Sequence, residues 1–212
     1  MPRRPGNTRG DASDGDLGDG PLLLWGIIRA MPELGDPAAA EATSVRFEIE
    51  VAAPLEHAFR VFTEGFDSWW PRDHHIGHVD MAVAILEPRV GGRWYELGVD
   101  GSECEWGMVL AWDPPRHVAV SWHLDGEFRF DPRRERASRV DIRFEPRGAD
   151  RTQVILEHSG LDRHGDTWPL LRDRISRGWP TDLRLLRDAI EASWTGAATR
   201  SRPSVDTNVR TS

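Results

Sequence analysis

The chain has 212 residues, a formal net charge of −8 and a pI of about 5.5. An acidic chain is a poor candidate for wrapping nucleic acid, because neutralising phosphates requires a basic face. All 27 basic residues are arginine, which excludes lysine Schiff-base chemistry and indicates a GC-rich, bacterial genome. Cys104 is the single cysteine, so no intramolecular disulfide can form and a cytoplasmic location is predicted.

The first 44 residues are predicted to form a disordered or loosely docked extension. Residues 1–20 are rich in Gly and Asp and carry almost no large apolar side chains. The apolar run PLLLWGII that follows is too short to cross a bilayer. Acidic residues separate this run from the basic start, which fits a signal peptide poorly. We therefore expect no membrane span, and a folded domain over residues 45–194.

The domain begins with a predicted strand and two short helices. In VRFEIEV, residues 45–51, apolar and charged residues alternate as in a half-buried strand. Pro54 suits the first turn of a helix, and Gly65 ends that helix. The segment FDSWWP then forms a second short helix or turn that Pro71 ends.

Six more strands are predicted, each bounded by Gly, Pro or Asp turn signals. They cover residues 81–88, 93–101, 103–112, 117–124, 139–146 and 152–159. A long helix follows, with Gly178 and Pro180 predicting a kink or a division into two helices. Residues 195–212 are predicted to be a disordered tail.

This order of elements predicts an α+β fold. A curved antiparallel sheet of six or seven strands would wrap around the long C-terminal helix, and such a layout commonly leaves a cavity between the two. A core completely filled by side chains is the alternative.

Five segments carry a family resemblance, in order, over roughly residues 45–192. They are APLEHAFRVFTE, SWWP, EPRVGGRWYE, GMVLAWDPPRHVAVSW and GWPTDLRLL. The chain resembles the START-like (SRPBCC, helix-grip) superfamily, and within it the homologues of the activator of the heat-shock protein 90 ATPase. The resemblance implies a deep, largely apolar cavity roofed by the C-terminal helix. It implies no shared catalytic apparatus, because fold alone does not decide function.

Ten tryptophans against one tyrosine point to an aromatic cavity lining. Because side chains alternate along a strand, Trp106, Met108, Leu110 and Trp112 are predicted to share the inner face. The predicted ligand-binding residues are Trp69, Trp70, Trp94, Glu96, Trp106, Met108, Leu110, Trp112, Trp122, Phe144, His158, Trp179 and Leu183.

Glu96 and His158 are the candidates for acid–base chemistry. Alternation places Glu96 beside Trp94 on the inner face, where burial would raise its pKa. A glutamate at a strand end that reaches solvent or an arginine is the alternative. His158 shares a face with Val154 and Leu156, and its alternative is a hydrogen-bonded core histidine.

The loop segment DHHIGHVD could supply metal ligands. His74, His75 and His78 lie here with Asp73 and Asp80, and imidazole and carboxylate suit zinc. The spacing matches no known metal motif, so a solvated loop at the cavity rim is the preferred interpretation and no cofactor is expected.

These predictions lead to three hypotheses for the function of the protein. The leading one is the binding of a small hydrophobic or amphipathic molecule, such as a lipid or polyketide, by a monomer or homodimer. The second is a cyclase or hydrolase on the same scaffold. The third is a co-chaperone-like stress protein that stimulates a heat-shock ATPase.

Overall fold

The structure, a computed structural model, describes the backbone of residues 41–200 and the side chains of residues 41–195. Residues 1–40 and 201–212, which hold most of the predicted extension and tail, lie outside the described residues. In the described part, no helix is both long and apolar enough to cross a membrane.

Within residues 41–200, seven strands form one antiparallel sheet in the order β1-β7-β6-β5-β4-β3-β2. The strands are β1 (Val45–Val51), β2 (Met81–Leu86), β3 (Arg93–Gly98), β4 (Glu103–Asp113), β5 (His117–Trp122), β6 (Ser138–Pro146) and β7 (Thr152–Ser159). β1 closes the meander by pairing with β7 rather than β2, so the two short helices after β1 cross from one edge to the other. The predicted α+β helix-grip fold is confirmed.

Helices pack against one face of this sheet. After β1 come α1 (Leu55–Thr63) and a 3₁₀ turn (Phe66–Ser68), as predicted. The C-terminal helix α2 (Trp168–Arg200) has 33 residues and passes through Pro180 without ending, so the alternative of two helices is wrong. It also continues past residue 194, where the sequence pattern placed the domain end.

Helix α2 is fixed near both ends. Near its C-terminal end, His57 Nε2 in α1 lies 3.1 Å from the Ile190 carbonyl oxygen. At its start, Arg174 donates a 2.8 Å hydrogen bond to the Gly126 carbonyl. A Cβ at Gly126 would lie 2.3 Å from the Thr167 carbonyl oxygen, so only glycine allows this close approach. These contacts hold α2 over the sheet, with its buried side chains toward the core.

Two β-bulges in β4 change which side chains face the core. The register with β3 slips at Trp106, and the register with β5 slips at Leu110. Each bulge inserts a residue and reverses the alternation. Val109 is therefore buried, whereas Leu110 is 41% exposed. The predicted inner position is wrong for Met108 and Leu110, because strict alternation does not hold across a bulge.

Candidate functional site

A cavity of about 380 Å³ lies between α2, the sheet and the loop that follows the 3₁₀ turn. Its size is within the range of small-molecule sites, roughly 300–1,000 Å³. Most of its exposed lining is apolar. The lining residues are Trp70, Asp73, His74, His75, Ile76, Trp106, Trp122, Leu124, Phe128, Arg174, Ile175, Arg177, Gly178, Trp179 and Asp182.

Four tryptophans supply most of the aromatic lining, together with Phe128. All four were predicted ligand-binding residues: Trp70, Trp106, Trp122 and Trp179. Their rings contact one another, with centroids 5.4 Å apart for Trp70 and Trp106 and 5.8 Å for Trp122 and Trp179. These separations are typical of attractive aromatic pairs. The mutual contacts hold the indoles in place and leave space beside them.

Glu96 does not line the cavity but holds its wall together. Its side chain accepts hydrogen bonds from the backbone N–H groups of Ile76 and Gly77 and from the Trp106 indole at 3.1 Å. Every partner is a donor, so the side chain uses only its acceptor oxygens. Glu96 is almost completely buried, so the predicted inner position is right, and its bonds are structural.

His158 belongs to a buried chain of hydrogen bonds behind Trp179. The Trp179 indole donates to His158 Nδ1 at 3.3 Å, which leaves the ring proton on Nε2. Nε2 lies 2.7 Å from Ser138 Oγ, which in turn lies 2.8 Å from His164 Nε2. Burial lowers the pKa of His158 to about 3 and that of His164 to about 4. Both histidines are therefore neutral at pH 7, and His158 orients Trp179 rather than meeting Glu96.

The remaining predicted ligand residues lie outside the cavity lining. Trp69, Trp94, Phe144 and Leu183 are buried in the core, and Trp112 packs against its edge. Trp69 and Trp94 instead border a small apolar void beside α1. For these residues the large apolar side chain fills the core, which was the alternative considered for the aromatic stripes.

The histidine-rich loop forms one wall of the cavity. His74 and His75 contribute to the lining, whereas His78 does not. Among the described residues, no three His, Cys, Asp or Glu side chains come together as metal ligands would. The structure thus gives no support to a metal site at His74, His75 and His78.

Asp182 is the main polar feature that the sequence pattern did not single out. Its side chain is 6% exposed, and burial, aided by the charge of Asp73, raises its pKa to about 7. His74 Nδ1 lies 3.3 Å from Asp182 Oδ1 but outside hydrogen-bonding geometry. The sequence did contain one signal for a buried Asp182, which is its position in α2. Asp182 follows Ile175 by seven residues and precedes Leu186 by four, so it lies on the apolar stripe of the helix.

Comparison with known proteins agrees with the fold. Residues 52–191 match the family of Activator of Hsp90 ATPase homolog 1-like proteins. The fold is thus the helix-grip scaffold of the START-like superfamily. The chain belongs to the activator of Hsp90 ATPase homologue 1-like family within it. A search of curated proteins finds no match.

Solved structures include two with substantial sequence identity. The self-sacrificing resistance protein CalC from Micromonospora echinospora is 32% identical, with a TM-score of 0.56, over 71% of this chain and 96% of CalC. The anthrahydroquino-γ-pyrone synthase Txn09 is 43% identical, with a TM-score of 0.46, over 60% of this chain and 84% of Txn09. Protein NE0264 from Nitrosomonas europaea, 15% identical with a TM-score of 0.50 over 72% of this chain and 97% of its own, shares the fold.

Replacing Glu96 tests its role as the anchor of the wall. In Glu96→Gln, an amide NH₂ must face at least one of the three donors, so a buried donor loses its acceptor. We expect the free energy of unfolding to fall by at least about 1 kcal/mol. Hydrogen exchange at the Ile76 and Gly77 amides should accelerate as well. Exposed Glu105 in β4 supplies the control, since Glu105→Gln should change neither quantity. In Glu96→Gln, unchanged exchange of all three donors, the Ile76 and Gly77 amides and the Trp106 indole N–H, would contradict the anchoring role.

Asp182 predicts a pH dependence of stability. Its pKa is raised from 3.8 in the unfolded chain to about 7, so the folded protein binds the extra proton between these values. Stability from this group is complete below about pH 4 and is lost as the pH rises towards 7. Relative to Asp182→Asn, the wild type should therefore lose up to about 1.4 kcal/mol per pH unit over this window. Chemical denaturation at pH 4.5, 5.5, 6.5 and 8 measures the difference; parallel profiles for the two proteins would contradict the shift.

Proposed function

We propose that the protein binds a small, largely apolar molecule in the cavity between the sheet and α2. The observation that carries this proposal is the cavity itself, because its indole walls are fixed by bonds that lie outside it. Trp106 is held by Glu96, and Trp179 is held by His158. A pocket held in this way is formed before a ligand arrives, which lowers the ordering cost of binding.

Apolar burial supplies the main driving force in this proposal. Each square ångström of apolar surface removed from water contributes about 25 cal/mol, before the cost of association is subtracted. The flat faces of Trp70, Trp106, Trp122 and Trp179 suit a ringed or otherwise planar body. Kinship with a resistance protein, CalC, is consistent with a small-molecule partner but does not specify one. A cytoplasmic location remains part of the proposal.

The two alternative functions receive less support. The cyclase or hydrolase hypothesis relied on Glu96 and His158 as acid–base groups, and neither side chain lines the cavity. The co-chaperone hypothesis requires an exposed apolar surface to which a heat-shock ATPase would bind. In the described part of the chain, the large exposed apolar side chains are spread over separate loops, β4 and α2: Val90, Val99, Leu110, Phe130, Leu170 and Leu185. Scattered single residues of this kind are normal on any protein surface.

Gly178 allows the cavity to be filled without disturbing its walls. It lies in α2 on the cavity lining, and a Cβ there would meet only Asp182 Oδ2, at 3.9 Å. Gly178→Leu should place a side chain in the empty space, so binding of an apolar probe such as 2-methylnaphthalene should be lost. The folded state should persist, because replacing a helical glycine adds up to about 1 kcal/mol of helix propensity.

The matched control is Gly178→Ala, which gains helix propensity but leaves most of the space open. It should retain probe binding and unfold at a temperature equal to or above that of the wild type. Binding is measured from the indole N–H resonances of ¹⁵N-labelled protein, and stability from thermal unfolding. A Gly178→Leu protein that folds and still binds the probe with wild-type affinity would place the ligand elsewhere and overturn the proposal.

A further inference from the structure

The hydrogen-bonding groups of the tryptophan walls point away from the cavity. The indole N–H of Trp106 donates to Glu96, that of Trp122 to the Leu124 carbonyl, and that of Trp179 to His158. The Trp70 indole donates, at 3.4 Å, to the carbonyl of His74. These walls therefore offer a ligand aromatic surface and no hydrogen-bond donor.

Asp182 provides the open polar position. Its Oδ1 is buried and lacks a hydrogen-bond partner among residues 41–195, although the side chain lines the cavity. A buried acceptor without a partner costs free energy that a donor on a ligand would recover. His75 Nδ1 is the second buried, unpartnered atom of the lining, and it can donate or accept according to its tautomer.

No arginine among the described residues neutralises Asp182, and the ionisable side chain that approaches it is His74, whose Nδ1 lies 3.3 Å from Oδ1 outside hydrogen-bonding geometry. The loop contributes Asp73, His74 and His75, and α2 itself contributes Arg174 and Arg177. Arg177 forms an ion pair with Asp173. Arg174 bonds to the Gly126 carbonyl and lies with its guanidinium carbon 5.4 Å from the centre of the Phe128 ring. In the described part of the chain, neither arginine forms an ion pair with Asp182.

From this arrangement we propose that the cavity selects an amphipathic molecule that carries a hydrogen-bond donor, an ammonium or a hydroxyl group, which bonds to Asp182. This inference rests on the proposed function and narrows its ligand class. The apolar body lies against the indoles, and an ammonium gains further from their π faces. A fatty acid or another anion is disfavoured in this orientation, because its carboxylate would face that of Asp182.

Four naphthalene probes share one apolar body and differ in one substituent. They are 2-methylnaphthalene, 2-naphthol, 2-(aminomethyl)naphthalene and 2-naphthoate, titrated at pH 8 against ¹⁵N-labelled protein and followed by the indole N–H resonances. Asp182 is ionised at this pH. We expect the naphthol or the amine, or both, to bind about tenfold or more tightly than methylnaphthalene, with naphthoate weakest. Methylnaphthalene or naphthoate binding as tightly as both donor probes would overturn the inference.

Substitutions at position 182 separate the two donors. Asp182→Leu should abolish the advantage of both donor probes while methylnaphthalene still binds. Asp182→Asn keeps an acceptor oxygen but removes the negative charge. If the donor probes still bind more tightly than methylnaphthalene to this variant, the ligand group is a hydroxyl. If they no longer do so, the ligand group is an ammonium. Asp188→Asn, a charge change at an exposed position of α2 outside the cavity lining, should leave the order of the probes unaltered.

The outcomes also distinguish this inference from the proposed function. If methylnaphthalene binds but the donor probes have no advantage, the cavity is a binding site and Asp182 is not its anchor. An unchanged preference for the donor probes in Asp182→Leu overturns the inference in the same way. If the Leu variant fails to fold, an unchanged preference for the amine in Asp182→Asn has the same meaning. If none of the four probes binds the wild type, the proposed function fails first.

Discussion

The Glu96 side chain ties two strands of the sheet to the loop that forms one wall of the cavity. It stands on β3, holds the Trp106 indole on β4, and accepts the backbone N–H groups of Ile76 and Gly77 in the loop. Without this acceptor, the buried Trp106 indole and two partly buried backbone N–H groups would lose their partner in one place, and each such loss costs up to about 1–3 kcal/mol. The loop would then be free to move away from Trp70 and Trp106. One buried carboxylate therefore sets the position of the loop wall and of the indole beneath it.

A second buried network has the same effect on the helix side. The chain from Trp179 through His158 and Ser138 to His164 fixes the indole that α2 contributes. In both networks, polar groups are satisfied within the protein, so they orient the aromatic walls and are not available for chemistry. Asp182 differs, because it is buried, lines the cavity and has an oxygen, Oδ1, without a hydrogen-bond partner among residues 41–195. This contrast explains why the acid–base candidates drawn from strand alternation are structural, and why the candidate anchor lies on the helix.

Local sequence patterns predict much of the fold but only part of the candidate site. The seven strands, the short helices and the long helix all show periodicity or turn signals that hold within each segment. Alternation also placed Trp122 correctly, because β5 pairs with β6 in an unbroken register. Trp106 is buried as predicted too, although the first bulge of β4 lies at this residue. It failed at Met108 and Leu110, because two bulges in β4 reverse the alternation. Gly107, beside the first bulge, was the available signal, since glycine inside a strand often marks one.

Asp182 shows the second limit of local pattern. A single carboxylate on an apolar helix stripe can reach solvent, pair with an arginine, or remain unpaired in a cavity. Which of these occurs depends on the loop and sheet that face the helix, and those contacts are tertiary. The histidines of the loop illustrate the same point, since His74 and His75 reach the cavity only because Glu96 holds the adjacent residues in place.

The central claim is that the space between the sheet and α2 is a preformed, largely apolar cavity rather than a core that closes when empty. A crystal structure determined under xenon pressure tests it directly, because xenon enters dry apolar cavities without needing a specific ligand. The account predicts xenon density against the indoles of Trp122 and Trp179, with Glu96 still bonded to Trp106. Absence of xenon, with either indole rotated into the space and the cavity closed, would contradict it.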